Sequence, residues 1–181
     1  MIYTRGHRND YDDWAAAGNP GWSYREVLPY FRRSENNERW RDSPYHGTGG
    51  PMNVAEPITL NPMVDVLFEA TDSLQLPRTD DFCEPQMEGF GVRQVTQRRG
   101  RRESAATAFL APARHRANLT VITGAVVSHV RFDGTRATGV AMTVGGRPRD
   151  IAAHREVILS AGAIASPAIL QRSGIGDGAA L

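Results

Sequence analysis

Three β-branched runs in the last third of the chain, Val126–Phe132, Ala137–Val144 and Arg149–Ala153, are divided by the dipeptides Asp133-Gly134 and Gly145-Gly146. Such dipeptides between extended runs predict tight hairpin turns, so this stretch is expected to fold as a three-stranded antiparallel meander. Leu119–Ile122 is a further β-branched run and is read as a strand. Glu156–Ser160 (EVILS) is a short apolar run, as expected for a strand buried on both faces. Ala161-Gly162-Ala163 then makes a small-residue turn. Ser166-Pro167 predicts a cap followed by proline at the first helical position, in a helix that Gly174 ends.

The first 115 residues read differently. Asp10 is expected to cap a short helix running through Ala17, with Gly18 ending it. Ser23 and Glu26 have the spacing of a capping box ahead of Val27, Leu28, Tyr30 and Phe31, and Pro29 predicts a kink or early break. Arg32 to Pro51 is charged and then glycine-rich, which reads as an exposed loop entering a strand at Met52–Val54. Asn61 and Pro62 open a helix with one apolar face. Phe90–Thr96 is read as a strand, and Ser104 as the cap of a short helix stopped near Pro112. The chain therefore divides into a helix-rich part and a meander followed by strand, turn and helix.

Composition removes several function classes. The 181 residues carry a formal net charge of +1, so no global field draws the chain to nucleic acid or to a membrane. All 21 basic residues are arginine, and Arg98-Arg99-Gly100-Arg101-Arg102 is the one local feature that favours phosphate contact; without interleaved aromatics it reads as a solvated loop. The single cysteine, Cys83, excludes an internal disulfide and a multi-cysteine metal site. His7, His46, His115, His129 and His154 show no metal-ligand spacing and read as surface or turn residues. No apolar run is long enough to span a bilayer and no signal peptide is apparent, so a cytoplasmic location is the expectation.

The strongest chemical signal is Gly162–Gly176, GAIASPAILQRSGIG. A strand that delivers small residues to a helix N-terminus lets a ligand approach backbone N–H groups at the positive end of the helix dipole. Any parallel α/β protein contains turns of this kind. This segment, however, resembles the second signature of the glucose-methanol-choline (GMC) oxidoreductases, in their choline-dehydrogenase-like branch. MIYTRGHRNDYDDWA with GNPGWSYREVLPYFRRSE, HGTGGPMNV, QMEGFGVRQVTQRRGRRESAATAFL and NLTVITGAVVSHVRFDGTRATGV resemble the same family in the same order, covering nearly the whole chain.

The resemblance implies a mixed α+β to α/β architecture: part of an FAD-binding fold of the glutathione-reductase type, with its meander, and part of a substrate-binding domain. It assigns residues 1–50 to a flavin lid, 51–115 to the substrate-binding part and 116–181 to the FAD-binding part. It implies FAD as cofactor, a small alcohol such as choline or an aliphatic or aryl alcohol as substrate, and a possible homodimer. Met1 and Ile2 match the end of a loop beside the flavin, Val127 a valine whose backbone holds the adenine end, and Ala161 with Gly162 a turn close to the dinucleotide. The family's G-x-G-x-x-G phosphate turn does not occur in the chain, because Gly174–Gly178 follows a helix instead of a strand. The resemblance implies that the family's active-site pair, a histidine with a second histidine or asparagine, lies in a C-terminal region beyond Leu181. No catalytic residue and no metal ligand is therefore assigned, and the isolated chain is expected to be inactive and to bind FAD weakly or not at all. Cys83 stands where relatives carry asparagine, and Glu103 where a small residue is common. A non-catalytic remnant that packs against a partner, or a nucleic-acid-binding module built on the arginine run, are the alternatives.

Overall fold

The computed structural model describes residues 1–179, which fall into two compact units, Met1–Leu119 and Thr120–Leu181. In the first unit, helix α1 (Arg8–Ala16) is capped by His7, whose Nδ1 accepts from the Asn9 N–H at 3.2 Å. Asp10, expected at the cap, lies instead in the first turn, where its charge suits the helix dipole. Helix α2 (Tyr24–Ser34) carries the expected capping box between Ser23 and Glu26. The break expected at Pro29 does not occur: the helix continues to Ser34, so the proline costs one internal N–H bond without ending the element.

The exposed loop expected over residues 32–51 holds for most of 38–51, which enters a strand at Met52 as expected, but residues 32–37 are helix end and strand, and His46 and Gly47 are buried. Glu35–Asn37 forms strand β1, which pairs in parallel with β2 (Met52–Ala55). Helix α3 (Met63–Ser73) starts one residue after Pro62, and the Asn61 side chain accepts from the Met63 N–H at 2.9 Å, as a cap residue should. The strand expected at Phe90–Thr96 lies later, as β3 (Val95–Arg98), antiparallel to both β2 and β4 (Arg101–Arg102). The arginine run is thus a hairpin whose turn is Arg99-Gly100. Glu103 pairs with Arg98 at 3.0 Å and accepts from the Asn53 N–H at 2.6 Å, which gives this unusual acid a structural use. Ser104 caps a π-helical turn (Ala106–Leu110) by accepting from the Thr107 N–H at 3.2 Å, and α4 (Ala111–Ala113) follows.

The second unit holds the expected meander: β5 (Ala125–Asp133), β6 (Arg136–Val144) and β7 (Arg147–Ala152), paired antiparallel in that order. A register shift at Ser128 puts a bulge in β5. Helix α5 (Gly162–Arg172) packs on β5: the Ser173 hydroxyl accepts from the Val130 N–H at 2.8 Å, and Arg172 Nε donates to the Ser128 carbonyl at 2.7 Å. Its C-terminus closes as expected at Gly174, with N–H bonds from Gly174 to Gln171 O and from Ile175 to Leu170 O.

Three expectations for this part are corrected. Leu119–Ile122 and Glu156–Ser160 are not strands, and Ile158 is 76% exposed. Among the described residues the only sheet in this unit is the meander, so EVILS has no neighbouring strand to satisfy its backbone. Helix α5 also begins at Gly162 and not at Pro167, which lies inside it; the Ser166 hydroxyl accepts from the Ala161 N–H at 2.9 Å.

Candidate functional site

The five residues matched to flavin contacts divide between the units. Met1 and Ile2 form a short edge in the first. Ile2 bridges Val95 in antiparallel fashion, with Thr96 N–H donating to Met1 O at 2.7 Å and Tyr3 N–H to Gln94 O at 2.8 Å. Both side chains are largely exposed. In the second unit, Val127 lies on β5 opposite Met142, beside the Ser128 bulge, while Ala161 and Gly162 stand at the start of α5. Gly162 has φ +95, and a Cβ there would meet nothing within 4 Å. The bend is open at Gly162, the Ser166 hydroxyl takes the Ala161 N–H, and the chain leads directly into a helix of 11 residues. That geometry suits an approaching phosphate or polar ring edge better than it suits packing.

The first unit also builds a buried polar cluster that local sequence patterns do not reveal. Arg5 Nη2 donates to Glu35 Oε2 at 2.6 Å and Arg5 Nη1 to Tyr45 O at 2.6 Å. Glu35 Oε1 lies 2.8 Å from His46 Nδ1, and His46 Nε2 lies 2.6 Å from Asp81 Oδ2. Asn37 Nδ2 donates to Glu35 Oε1 and to Gln94 Oε1, at 2.9 and 2.8 Å. Arg5, Glu35, Asn37, His46, Asp81 and Gln94 are all buried. His46, read as a surface or turn histidine, is a core residue.

The loop that carries His46 is pressed against α2 and β1. Asn37 N–H donates to Gly47 O at 2.8 Å, and a Cβ on Gly47 would stand 1.8 Å from the Arg32 carbonyl oxygen. Gly47→Ala is therefore expected to lower the stability of this unit by about 1–3 kcal/mol through forced backbone displacement. A denaturant titration that returns the wild-type midpoint for this variant would refute that packing.

Charge states follow from the geometry. Burial opposes a charge on His46, but hydrogen bonds to Asp81 and Glu35, together with their negative charge, outweigh it and hold the ring pKa up at about 9. Burial likewise raises Glu35, yet His46, Asn37 and Arg5 bring it below the usual carboxylate range. The cluster is thus an alternating chain of a guanidinium, a carboxylate, an imidazolium and the Asp81 carboxyl group. Burial pushes the Cys83 thiol up to about 11, so it stays protonated.

His46, Asp81 and Cys83 bring ligand-type atoms within 4.8 Å of one another. Both His46 ring nitrogens are engaged by carboxylates, at 2.8 and 2.6 Å, and the second oxygen of Asp81 accepts from the Cys83 backbone N–H at 2.8 Å. Elsewhere in this unit a cleft of about 410 Å³ is lined by Arg39, Glu56, Phe68, Arg78 and Asp80 among others. Its two guanidinium groups are already paired, Arg39 with Glu56 and Asp80 and Arg78 with Asp72, so it offers no free charge to a ligand.

The sequence model of the GMC oxidoreductase family matches residues 1–180. The chain belongs to this family. It is 43% identical over 183 aligned residues to an oxygen-dependent choline dehydrogenase of Photobacterium profundum, covering 100% of this chain and 32% of that protein. Among solved structures it resembles pyridoxine 4-oxidase from Mesorbium loti, with a TM-score of 0.86 and 34% identity, covering 97% of this chain and 35% of that one. It also resembles an FAD-dependent oxidoreductase from Chaetomium thermophilum, with a TM-score of 0.86 and 31% identity, covering 97% and 33%. The chain thus spans about a third of the length of the curated relatives it matches. The family resemblance and the mixed α/β architecture read from the sequence both hold for this GMC chain. No helix among its described residues is long and apolar enough to cross a membrane.

Proposed function

We propose that this chain is the middle portion of an FAD-dependent oxidoreductase that converts the CH–OH group of a small alcohol, choline-like, aliphatic or aryl, to a carbonyl. The observation that carries the reading is the open bend at Ala161-Gly162, set in a chain that matches the GMC family over residues 1–180. Ala161, Gly162 and the backbone of Val127 would hold the nucleotide part of FAD, and Met1 and Ile2 would lie beside its ring system. Bound FAD supplies the hydride acceptor. The chain's own residues supply close approach and a helix N-terminus, contributions made by backbone and small size.

This reading places removal of the hydroxyl proton on residues outside these 181. In unit 2, Val126, Ile158 and Ile164 stand 71, 76 and 87% exposed, which supports a sheet and helix completed by further polypeptide. The purified chain is expected to be colourless and to show no dye-linked alcohol oxidation. The product of the full reading frame that encodes it is expected to be yellow and active. An active, flavin-loaded 181-residue chain would contradict the assignment of catalysis to residues outside it. A full-length product that takes up no FAD would sink the flavin reading altogether.

A further inference from the structure

The buried cluster grips the Met1–Tyr3 edge from two sides. Arg5, two residues beyond Tyr3, is fixed through Glu35 and the Tyr45 carbonyl, and its guanidinium lies over the rings of Phe31 and Tyr3 at 5.2 and 5.8 Å. Gln94 meets the edge from the other side. Its carbonyl accepts from the Tyr3 N–H, while its side chain exchanges hydrogen bonds with Asn37, which is bonded in turn to Glu35 and lies 3.0 Å from His46 Nδ1. Both routes converge on His46 and its second carboxylate partner, Asp81. The side chains of Met1 and Ile2 stay largely exposed, while Arg5 and Gln94 behind them are buried.

We infer that the Arg5–Glu35–His46–Asp81 chain sets the position of the Met1–Tyr3 edge, and that His46 is thereby a positioning residue for the flavin ring system. The inference rests on the flavin reading above, because only there do Met1 and Ile2 face a cofactor. His46 touches no reacting atom. It acts by holding Glu35, which holds Arg5, and a side chain of similar size that carries no charge would leave two carboxylates facing a neutral group in a dry site.

Two measurements test it. In the 181-residue chain, hydrogen exchange at the Tyr3 and Thr96 amides is expected to accelerate at least tenfold in His46→Gln and in Asp81→Asn, while the Val140 amide in the meander is unchanged. Arg5→Lys, which keeps the charge but loses the two-pronged contact, is expected to show a smaller acceleration. In the FAD-loaded product of the full reading frame, His46→Gln is expected to shift the flavin absorption bands and lower kcat more than it alters KM. Wild-type exchange at Tyr3 and Thr96 in both His46→Gln and Asp81→Asn would overturn the anchor. Accelerated exchange with an unaltered flavin spectrum would overturn the positioning role and leave the flavin function standing. Failure of the wild-type full-length product to take up FAD would remove both.

Discussion

Alanine in place of His46 is expected to destabilise the Met1–Leu119 unit by about 3–5 kcal/mol, the usual cost of deleting one partner from a buried ion pair. The change leaves Glu35 Oε1 and Asp81 Oδ2 without the ring that stands 2.8 and 2.6 Å from them, and water has no ready access to either. It also opens a cavity at one of the largest fully buried side chains of the chain. Denaturant unfolding followed by a probe in each unit gives the answer, and unit 2 should unfold as in the wild type. A loss below about 1 kcal/mol would mean that Glu35 and Asp81 find other partners. Double replacement of His46 and Asp81 by apolar residues should cost less than the sum of the single changes, since the charges are removed together.

The same unit is expected to lose about 3 kcal/mol between about pH 6 and pH 9.5. The His46 ring has an ordinary pKa of 6.5 in the unfolded chain and about 9 when folded, so above pH 6.5 the native state holds a proton that the unfolded state has released. Its stabilising effect is complete below pH 6.5 and fades as pH rises to about 9. The groups facing the ring are Glu35, Asp81 and the Asn37 amide, with Arg5 behind Glu35. Cys83, raised from 9.0 to about 11, and Tyr3, raised from 10.0 to about 12, both by burial, act in the same direction at higher pH. On the acid side, the lowered Glu35 makes stability fall as pH drops below its ordinary value of 4.5. A flat denaturant midpoint across the alkaline range would show that His46 is not charged in the folded protein. In His46→Gln the slope from pH 6.5 to 9 should vanish while the steeper loss above pH 9 remains.

Local chemistry was legible wherever neighbours in sequence settle the outcome. The Ser23–Glu26 capping box, the Asn61 cap, the Ser104 cap and the hairpin turns of the meander each depend on groups within a few residues of one another. So does the glycine-terminated end of α5. The family membership was legible too, because its motifs are contiguous strings. The β6–β7 register follows from the two-residue turn Gly145-Gly146, whereas the β5–β6 register set at its turn shifts at two irregularities along the strands.

Tertiary structure alone decided the buried cluster. Arg5, Glu35, His46 and Asp81 stand 30, 11 and 35 residues apart in succession, and no periodicity joins separations of that size. Two residues of a polar loop read as exposed, His46 and Gly47, became core because Gly47 lets the loop press on the Arg32 carbonyl and because the buried charges meet their opposites. EVILS shows the converse: an apolar string has the composition of a strand, but a strand exists only where another backbone accepts its hydrogen bonds. Sequence determined which short segments turn, cap and pair with near neighbours. Only the fold could decide which distant charges neutralise one another, because that depends on desolvation and on distances that the order of residues does not contain.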